Sequence, residues 1–322
     1  MLKRFVIAAL AALVLLLGVV GGGLASAHLA IRRERQRLPV ADEIRAAAHA
    51  LDGPVRVAII NTATQPMRRS AVLARAQDPR PAEPYVMSHP SFVLEWPDGR
   101  LLLIDLGMNH EQAIAFGRPI QRLSGGDPIA PLTSVAQRLG AARERVRGIV
   151  FTHLHGDHVG GITDLCGDLR RTVPVYMTAA QAERPNFTTR PGLRRVQESG
   201  CARIEPLSGD GLLPVADFPG LFVIAAGGHT PGTQMVVAHV GSGADRRTYA
   251  FIGDVVNNAD GVTYDLPKPF LYSLLVVPED RPRLQELRRY LRELRDRYGV
   301  TLLVSHDQRD LEASGLPAAW SP

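Results

Sequence analysis

The chain has 322 residues, 45% of them hydrophobic and 21% charged, which is enough to bury a large core. No internal period marks a solenoid or propeller. The formal net charge of +5 comes with no recognised nucleic-acid module, so nucleic acid is not an expected partner.

The N-terminus opens with Lys3 and Arg4 and continues as "FVIAALAALVLLLGVVGGGLASA", an uncharged apolar run ending at Ala27. A bilayer core needs about 20 apolar residues, so residues 1–27 can act as a membrane anchor. Ala25-Ser26-Ala27 is also a small-x-small pattern that a signal peptidase could cut. Both readings stay open. Arg32, Arg33, Arg35 and Arg37 follow the run, and a positive-inside count would keep the rest in the cytoplasm. The segment is nevertheless similar to the export anchors of bacterial envelope proteins. The expected location is the cell envelope, either inner-membrane anchored or periplasmic or secreted. The membrane is then a partner through this segment.

Residues 28–51 read as a linker with a short helix, "ADEIRAAAHAL", rich in helix formers. The domain is expected over 52–322. "VRVAIINTA" reads as a strand. "SFVLEWPDGRLLLIDLGM" reads as a hairpin about Pro97-Asp98-Gly99. "SVAQRLGAARERVRGIVFTHLH" is a helix followed by a buried strand, and "VPVYMTAAQAE" is a strand followed by a helix. "AQAERPNFTTRPGLRRVQESG" reads as a loop-rich excursion. "LFVIAAGGHTPG" and "TQMVVAHV" are strands around a Gly-Gly turn, and "TYAFIGDVV" is another strand. Leu284, Leu287, Leu291, Leu294 and Tyr298 recur at helical spacing before a last strand, "VTLLVSHD". The basic residues are almost all arginine, with Lys3 and Lys268 the only lysines. Arg288, Arg289, Arg292, Arg295 and Arg297 interleave with Glu286, Glu293 and Asp296 on that helix, the pattern of a solvated, ion-paired face. Alternating helices with hairpins among the strands predict two mixed sheets covered by helices. Cys166 and Cys201 are either one disulfide or two buried thiols.

Histidine is concentrated at the ends of apolar runs. "GIVFTHLHGDH" supplies His153, His155, Asp157 and His158, "FVIAAGGH" supplies His229, "YAFIGD" supplies Asp254, and "TLLVSH" supplies His306. Residues two apart on an extended segment point the same way, so His153 and His155 can reach one ion. Gly156 lets the chain turn, so Asp157 and His158 can face a second, and Gly160 and Gly161 allow close packing behind them. The assignment is His153, His155 and His229 to one ion and Asp157, His158 and His306 to the other, with Asp254 bridging. Imidazoles with carboxylates suit two divalent ions, zinc first, with manganese, iron or cobalt as alternatives. Such a pair can share a hydroxide and make it a nucleophile at neutral pH. The catalytic candidates are therefore Asp157 and Asp254. His89, just before "SFVLEW", is a candidate to approach the site. His28, His49, His110 and His239 have no motif context.

With these residues in hand, the chain resembles the metallo-β-lactamase-fold hydrolase superfamily over roughly residues 52–310. The matching elements are Asp105 in "LLIDLGM", the H-x-H-x-D-H run at 153–158, His229 in "GGHTPGT", Asp254 in "IGD" and His306 in "VSHD". The resemblance implies an αββα sandwich with metals at one edge. It also implies that Asp105 orients a ligand. True β-lactamases in this family lack the bridging carboxylate or carry Cys there, so Asp254 points to the lactonase, glyoxalase-II-like and phosphotriesterase-like branches. The contexts of His229 and His306 look most like quorum-quenching lactonases and methyl-parathion-hydrolase-like enzymes. Such lactonases usually carry a Tyr three residues after the bridging Asp. Here that position is Asn257, which can donate a hydrogen bond but is no general acid at neutral pH. Tyr264 or Tyr272 is a candidate substitute.

The expected activity is hydrolysis of a lactone, ester or related bond in a small-molecule substrate. The alternatives are phosphotriesterase or β-lactamase activity, then a metal-dependent nuclease or a non-catalytic zinc-binding domain. A structural zinc site would be a closed tetrahedron, whereas seven ligands for two ions leave open positions.

Overall fold

The computed structural model describes residues 2–33, 36–50, 52–167, 169–318 and 320. Arg35 of the basic run, and Leu51 and Pro322 at the expected segment boundaries, lie outside the described residues. Two sheets carry the architecture. The first comprises β1 (Arg56–Met67), β2 (Tyr85–Glu95), β3 (Leu101–Ile104), β4 (Ala130–Pro131), β5 (Val146–Val150), β6 (Val173–Thr178) and β7 (Ala202–Leu207), in the order β4-β1-β2-β3-β5-β6-β7. The second comprises β8 (Leu212–Pro214), β9 (Leu221–Ala225), β10 (Gln234–Val240), β11 (Arg247–Phe251) and β12 (Thr301–Leu303), in the order β12-β11-β10-β9-β8.

Alternation along the strands explains the layering. Leu102 and Ile104 of β3, Phe92 of β2, Val223 of β9 and Phe251 of β11 share one buried cluster between the sheets. Their neighbours face outward. Leu101, Leu103 and Ile149 meet the helices that carry Val135, Leu165 and Val196. Ile224, Met235 and Ala250 meet Leu284, Leu287 and Leu291 of the Arg281–Tyr298 helix. With residues of period two buried on both faces, each sheet needs a helical cover, and the αββα sandwich follows.

Strand direction then fixes where function can sit. β3, β5, β6 and β7 run parallel to one another. In the second sheet, β9 and β11 flank the antiparallel β10, and β12 runs parallel to β11. The C-terminal ends of β3 and β5 therefore open one edge of their sheet, and those of β9, β11 and β12 one edge of theirs. These five ends carry the motif residues.

Several expectations need correction. The arginine-rich helix is not simply solvated. Arg283 and Arg288 are buried, and Arg288 Nε donates to Asp265 at 2.8 Å. Arg292 donates to the Val262 carbonyl and Arg295 to Thr263. Much of this face thus clamps the segment after Asp254, while Arg297–Glu293 remains an exposed i,i+4 pair. The loop-rich excursion contains a helix, Arg190–Gln197, that buries Leu193 and Val196. The helix His110–Ser124, unbroken through Gly117 and Pro119, was not foreseen, nor were β4, β7 and β8. Residues 36–50 are docked rather than free: Ile44 is buried, and Arg283 and Tyr290 donate to the carbonyls of Gln36 and Pro39.

The N-terminal helix Leu2–Arg32 is long and apolar enough to cross a bilayer or serve as a signal. Cys166 and Cys201 form a disulfide across a sequence separation of 35. Closing a loop of that size stabilises a fold by about 4 kcal/mol. Replacing Cys201 by Ala is expected to lower unfolding stability by roughly 3–4 kcal/mol, read by urea titration under oxidising conditions. Phe92 is fully buried with its ring 4.8 Å from that of Phe251, edge to face. Phe92→Ala should cost about 3–5 kcal/mol in the same titration.

Candidate metal centre

Each candidate side chain leaves the end of a strand, where the chain turns and the backbone must pack closely. Asp105, directly after β3, holds a left-handed φ of 52° that few non-glycine residues adopt. Gly161 meets its neighbour so closely that a Cβ would land on the Leu106 carbonyl oxygen. Gly253, before Asp254, has φ +50°, and a Cβ there would lie 2.7 Å from Thr152. Larger residues at these two glycines would push the strand-end loops apart.

The outward hydrogen bonds orient the rings. Thr152 donates its main-chain N–H and its hydroxyl to Asp105, at 2.8 and 2.7 Å. The hydroxyl oxygen therefore accepts from His153 Nδ1 at 3.2 Å. His158 Nδ1 lies 2.9 Å from Asp105 Oδ2. His229 Nδ1 lies 2.7 Å from Glu279 Oε1, and His306 Nδ1 lies 2.7 Å from the Ser88 carbonyl. His155 Nε2 lies 3.1 Å from Thr188 Oγ1, whose own proton goes to Asn186. Each of the five rings thus spends its N–H outward, and the other nitrogen presents a lone pair inward.

Those lone pairs meet one another. His153 Nε2 is 3.0 Å from His155 Nδ1, which is 3.3 Å from His229 Nε2. His158 Nε2 and His306 Nε2 are 3.3 Å apart. Asp254 stands between the two sets. Its Oδ2 is 3.5 Å from His229 Nε2, and its Oδ1 is 3.2 and 3.0 Å from His158 and His306 Nε2. Asp157 Oδ2 joins the second set at 3.8 and 3.5 Å from the same two nitrogens. Asp254 Oδ1 is buried with no hydrogen-bond partner. Acceptors facing acceptors at these distances repel, and the burial leaves water little room to relieve them. The donor chemistry of these clustered imidazoles and carboxylates fits divalent cations.

The electrostatics agree. Burial, reinforced by His158, holds the His153 imidazolium well below the usual range, and burial with His229 pushes His155 down to about 3. Both rings are neutral, the form that binds metal. Burial pushes the Asp254 carboxyl up, but His306, His153 and His158 outweigh it and hold it well below the carboxylate range. Burial also opposes charge on His158, yet Asp105, Asp157 and Asp254 raise it, and Asp254 with Asp157 does the same for His306. The second set attracts positive charge, as a proton or as a metal ion, and the two compete for the same nitrogens.

The seven sequence-predicted ligands and Asp105 therefore come together. His89 also arrives, with Nδ1 3.3 Å from Asp157 Oδ2 and its ring edge-on to that of His306. A cavity of about 680 Å³ opens onto His155, Asp157, Asp254 and His306, and Asn257 and Tyr272 line it. Tyr264 does not: it is 49% exposed at the end of the Asp260–Thr263 helix and is not part of the lining. The sequence reading missed Glu279 and Lys268. Lys268 Nζ, fully sequestered behind His229, donates to Glu279 Oε1 at 2.8 Å and to the Asp254 carbonyl at 2.6 Å. The signal was present, since Lys268 is one of only two lysines in an arginine-rich chain.

A family profile described as "Metallo-beta-lactamase superfamily" matches residues 84–307. The chain belongs to the metallo-beta-lactamase superfamily. A comparison with curated protein sequences finds no match. Among solved structures, an N-acyl homoserine lactone hydrolase with the product N-hexanoyl-L-homoserine bound at its catalytic metal centre superposes with a TM-score of 0.58 at 17% identity, over 82% of this chain and 98% of that one. A probable metal-dependent hydrolase from Staphylococcus aureus gives 0.54 at 13%, over 80% and 90%. AidC, a dizinc quorum-quenching lactonase, gives 0.50 at 14%, over 80% and 89%. At these identities the likeness is one of fold. Superfamily membership together with the assembled donors makes the chain a metal-dependent hydrolase.

If Asp105 holds His158 for an ion, Asp105→Asn should weaken metal binding about 10–100-fold. Competition against a chromophoric chelator measures this, with circular dichroism as the check on fold. An unchanged affinity would remove that role.

Proposed function

We propose that this metallo-beta-lactamase-superfamily protein holds two divalent cations, zinc foremost, and hydrolyses a lactone or related ester with an apolar substituent. His153, His155 and His229 would hold one ion, Asp157, His158 and His306 the other, and Asp254 both. The carrying observation is the convergence of five imidazole lone pairs on the two oxygens of one buried carboxylate. When bound there, two such ions supply Lewis acidity and bring the pKa of water down toward about 7. No side-chain nucleophile is then required.

The chain's own groups do the rest. Asp254 and Asp157 keep their negative charge in the buried site and so remain ligands rather than acids. Glu279 and Asp105 engage the outer nitrogens of His229 and His158, which turns the inner nitrogens toward the positions an ion would take. Asn257 lines the cavity beside Asp254 and can donate an amide N–H to a substrate carbonyl or to the departing oxygen. Burial with Glu279 raises the Tyr272 phenol well above its usual range, so at neutral pH it keeps its proton and can serve as a donor. Met67, Val72, Met87, Phe116 and Val277 make the far wall apolar, which suits an acyl or alkyl chain and excludes water from it. The acyl-homoserine product reported in a structural neighbour is consistent with a substrate of that shape.

The disulfide supports an envelope location, because such bonds persist outside the reducing cytosol. In that setting the Leu2–Arg32 helix would serve as anchor or signal.

Asp254→Ala should reduce turnover of a metal-loaded sample by at least about 1,000-fold, the scale of losing a group that organises the transition-state charge. Bound metal should fall in parallel, while circular dichroism stays unchanged. The assay should span lactones, aryl esters, thioesters, phosphotriesters and β-lactams, before and after chelation. Turnover of β-lactams alone would overturn the substrate class, and activity that survives full metal removal would overturn the reaction.

A further inference from the structure

The cavity's outer lip is an exposed apolar ridge. Phe270, Leu271, Leu274, Leu275 and Val276 are each 38–64% exposed along one short segment. Pro269, Tyr272 and Val276 of the same segment line the cavity, so the ridge is the rim of the site. Contiguous exposed apolar surface of this kind marks an interaction site. The occupant is indicated by what stands beside it. His28 Nε2 lies 3.1 Å from the Leu274 carbonyl, and Ala27 and Ile31 near the same end of the N-terminal helix are buried. Ala27 is the last residue of the apolar run, and residues 5–22 ahead of it are exposed where described. Twenty helical residues rise about 30 Å, one bilayer core. A helix inserted over that length brings its lower end, and with it Leu274, to the level of the lipid headgroups. Arg32 and Arg33, both exposed, follow at the height of the headgroup phosphates, where long basic side chains at a helix end reach the interface.

We propose that the 270–276 ridge seats in the lipid interface beside the N-terminal helix, so that the cavity mouth faces the bilayer and takes amphiphilic substrate from the membrane. The substrate half of this rests on the hydrolase reading above, but the seating does not. Amphiphiles partition into the leaflet with their chains in hydrocarbon and their polar bond near the headgroups. A mouth at that height receives the chain into the apolar wall and the reacting bond toward the metal centre.

The test uses the full chain in phosphatidylcholine vesicles carrying brominated acyl chains. Leu275→Trp should add fluorescence that these lipids quench at least twofold more than ordinary ones. Asp98→Trp, in the β2–β3 turn at the opposite end of the strands, should add fluorescence that they leave unchanged. Any smaller difference between the two sites overturns the seating, including the result expected if a second copy of the chain covered the ridge. A second arm compares substrates. Leu271→Ser with Leu275→Ser should lower turnover of a long-chain lactone dissolved in vesicles at least fivefold, and leave kcat/KM for its water-soluble short-chain homologue within twofold. Equal effects on both substrates overturn delivery from the membrane. If no lactone is turned over at all, the hydrolase reading fails while the quenching result still decides the seating.

Discussion

Like-sign electron density forced together where the strand ends of both sheets meet is the constraint around which this molecule is organised. Five inward lone pairs and two carboxylates crowd together at the inner end of the cavity. Nothing in their mutual contacts is attractive without positive charge. The surrounding fold has to hold them against that repulsion, and it does so from outside. Asp105, Thr152, Thr188, Glu279 and the Ser88 carbonyl each engage the outer nitrogen of one ring. The rings cannot swing away without breaking a hydrogen bond in a dry interior, where its loss costs about 1–3 kcal/mol.

The same logic reaches further out. Burial pushes the Glu279 carboxyl up, but Lys268 and His229 outweigh it and bring it down to about 2. Ser273 Oγ donates to the other Glu279 oxygen at 2.5 Å. The segment that carries Lys268 and Ser273 is therefore tied to the metal centre at one end and forms the cavity rim at the other. On the opposite wall, buried Arg69 bonds both oxygens of Asp78 and one of Asp260. Breaking one member of such a buried network typically costs about 3–5 kcal/mol, which rigidifies the 68–72 stretch lining the cavity. Both walls are thus held by ion pairs, and only the rim is apolar and exposed.

How much of this was legible in the sequence follows from distance along the chain. The ligands were readable because each sits immediately after an apolar run, and a parallel strand end is where a loop can present a side chain. His153 to His158 needed only local geometry, and the hairpin about Gly99 only its turn chemistry. Glu279 was not readable, since it lies 50 residues from His229 in a stretch of ordinary polar character and acquires its role only on folding. Tyr264 and Tyr272 had equal standing as donors in the sequence, yet the short helix ending at Thr263 leaves one at the surface and the π-turn Tyr272–Val276 brings the other to the cavity. The arginine face was misread for a related reason: its spacing is that of a solvated helix, and only tertiary packing on Asp265 and Val262 turned part of it inward.

The rim and the centre also explain why a protein of this kind would carry its N-terminal helix so close to its mouth. A long apolar substrate that leaves a micelle or membrane must expose its chain to water before it can enter a pocket, at about 0.8 kcal/mol per methylene exposed. A mouth held in the interface removes most of that step, because the chain passes from one apolar surface to another. The constraint on the centre is the opposite one. Its charges must stay out of hydrocarbon, and a polar belt of Asn257 and Thr188 lines the cavity beside them. Anchor, apolar rim, polar belt and charged centre form a single polarity gradient, and the direction of that gradient is the one an amphiphile adopts in a leaflet.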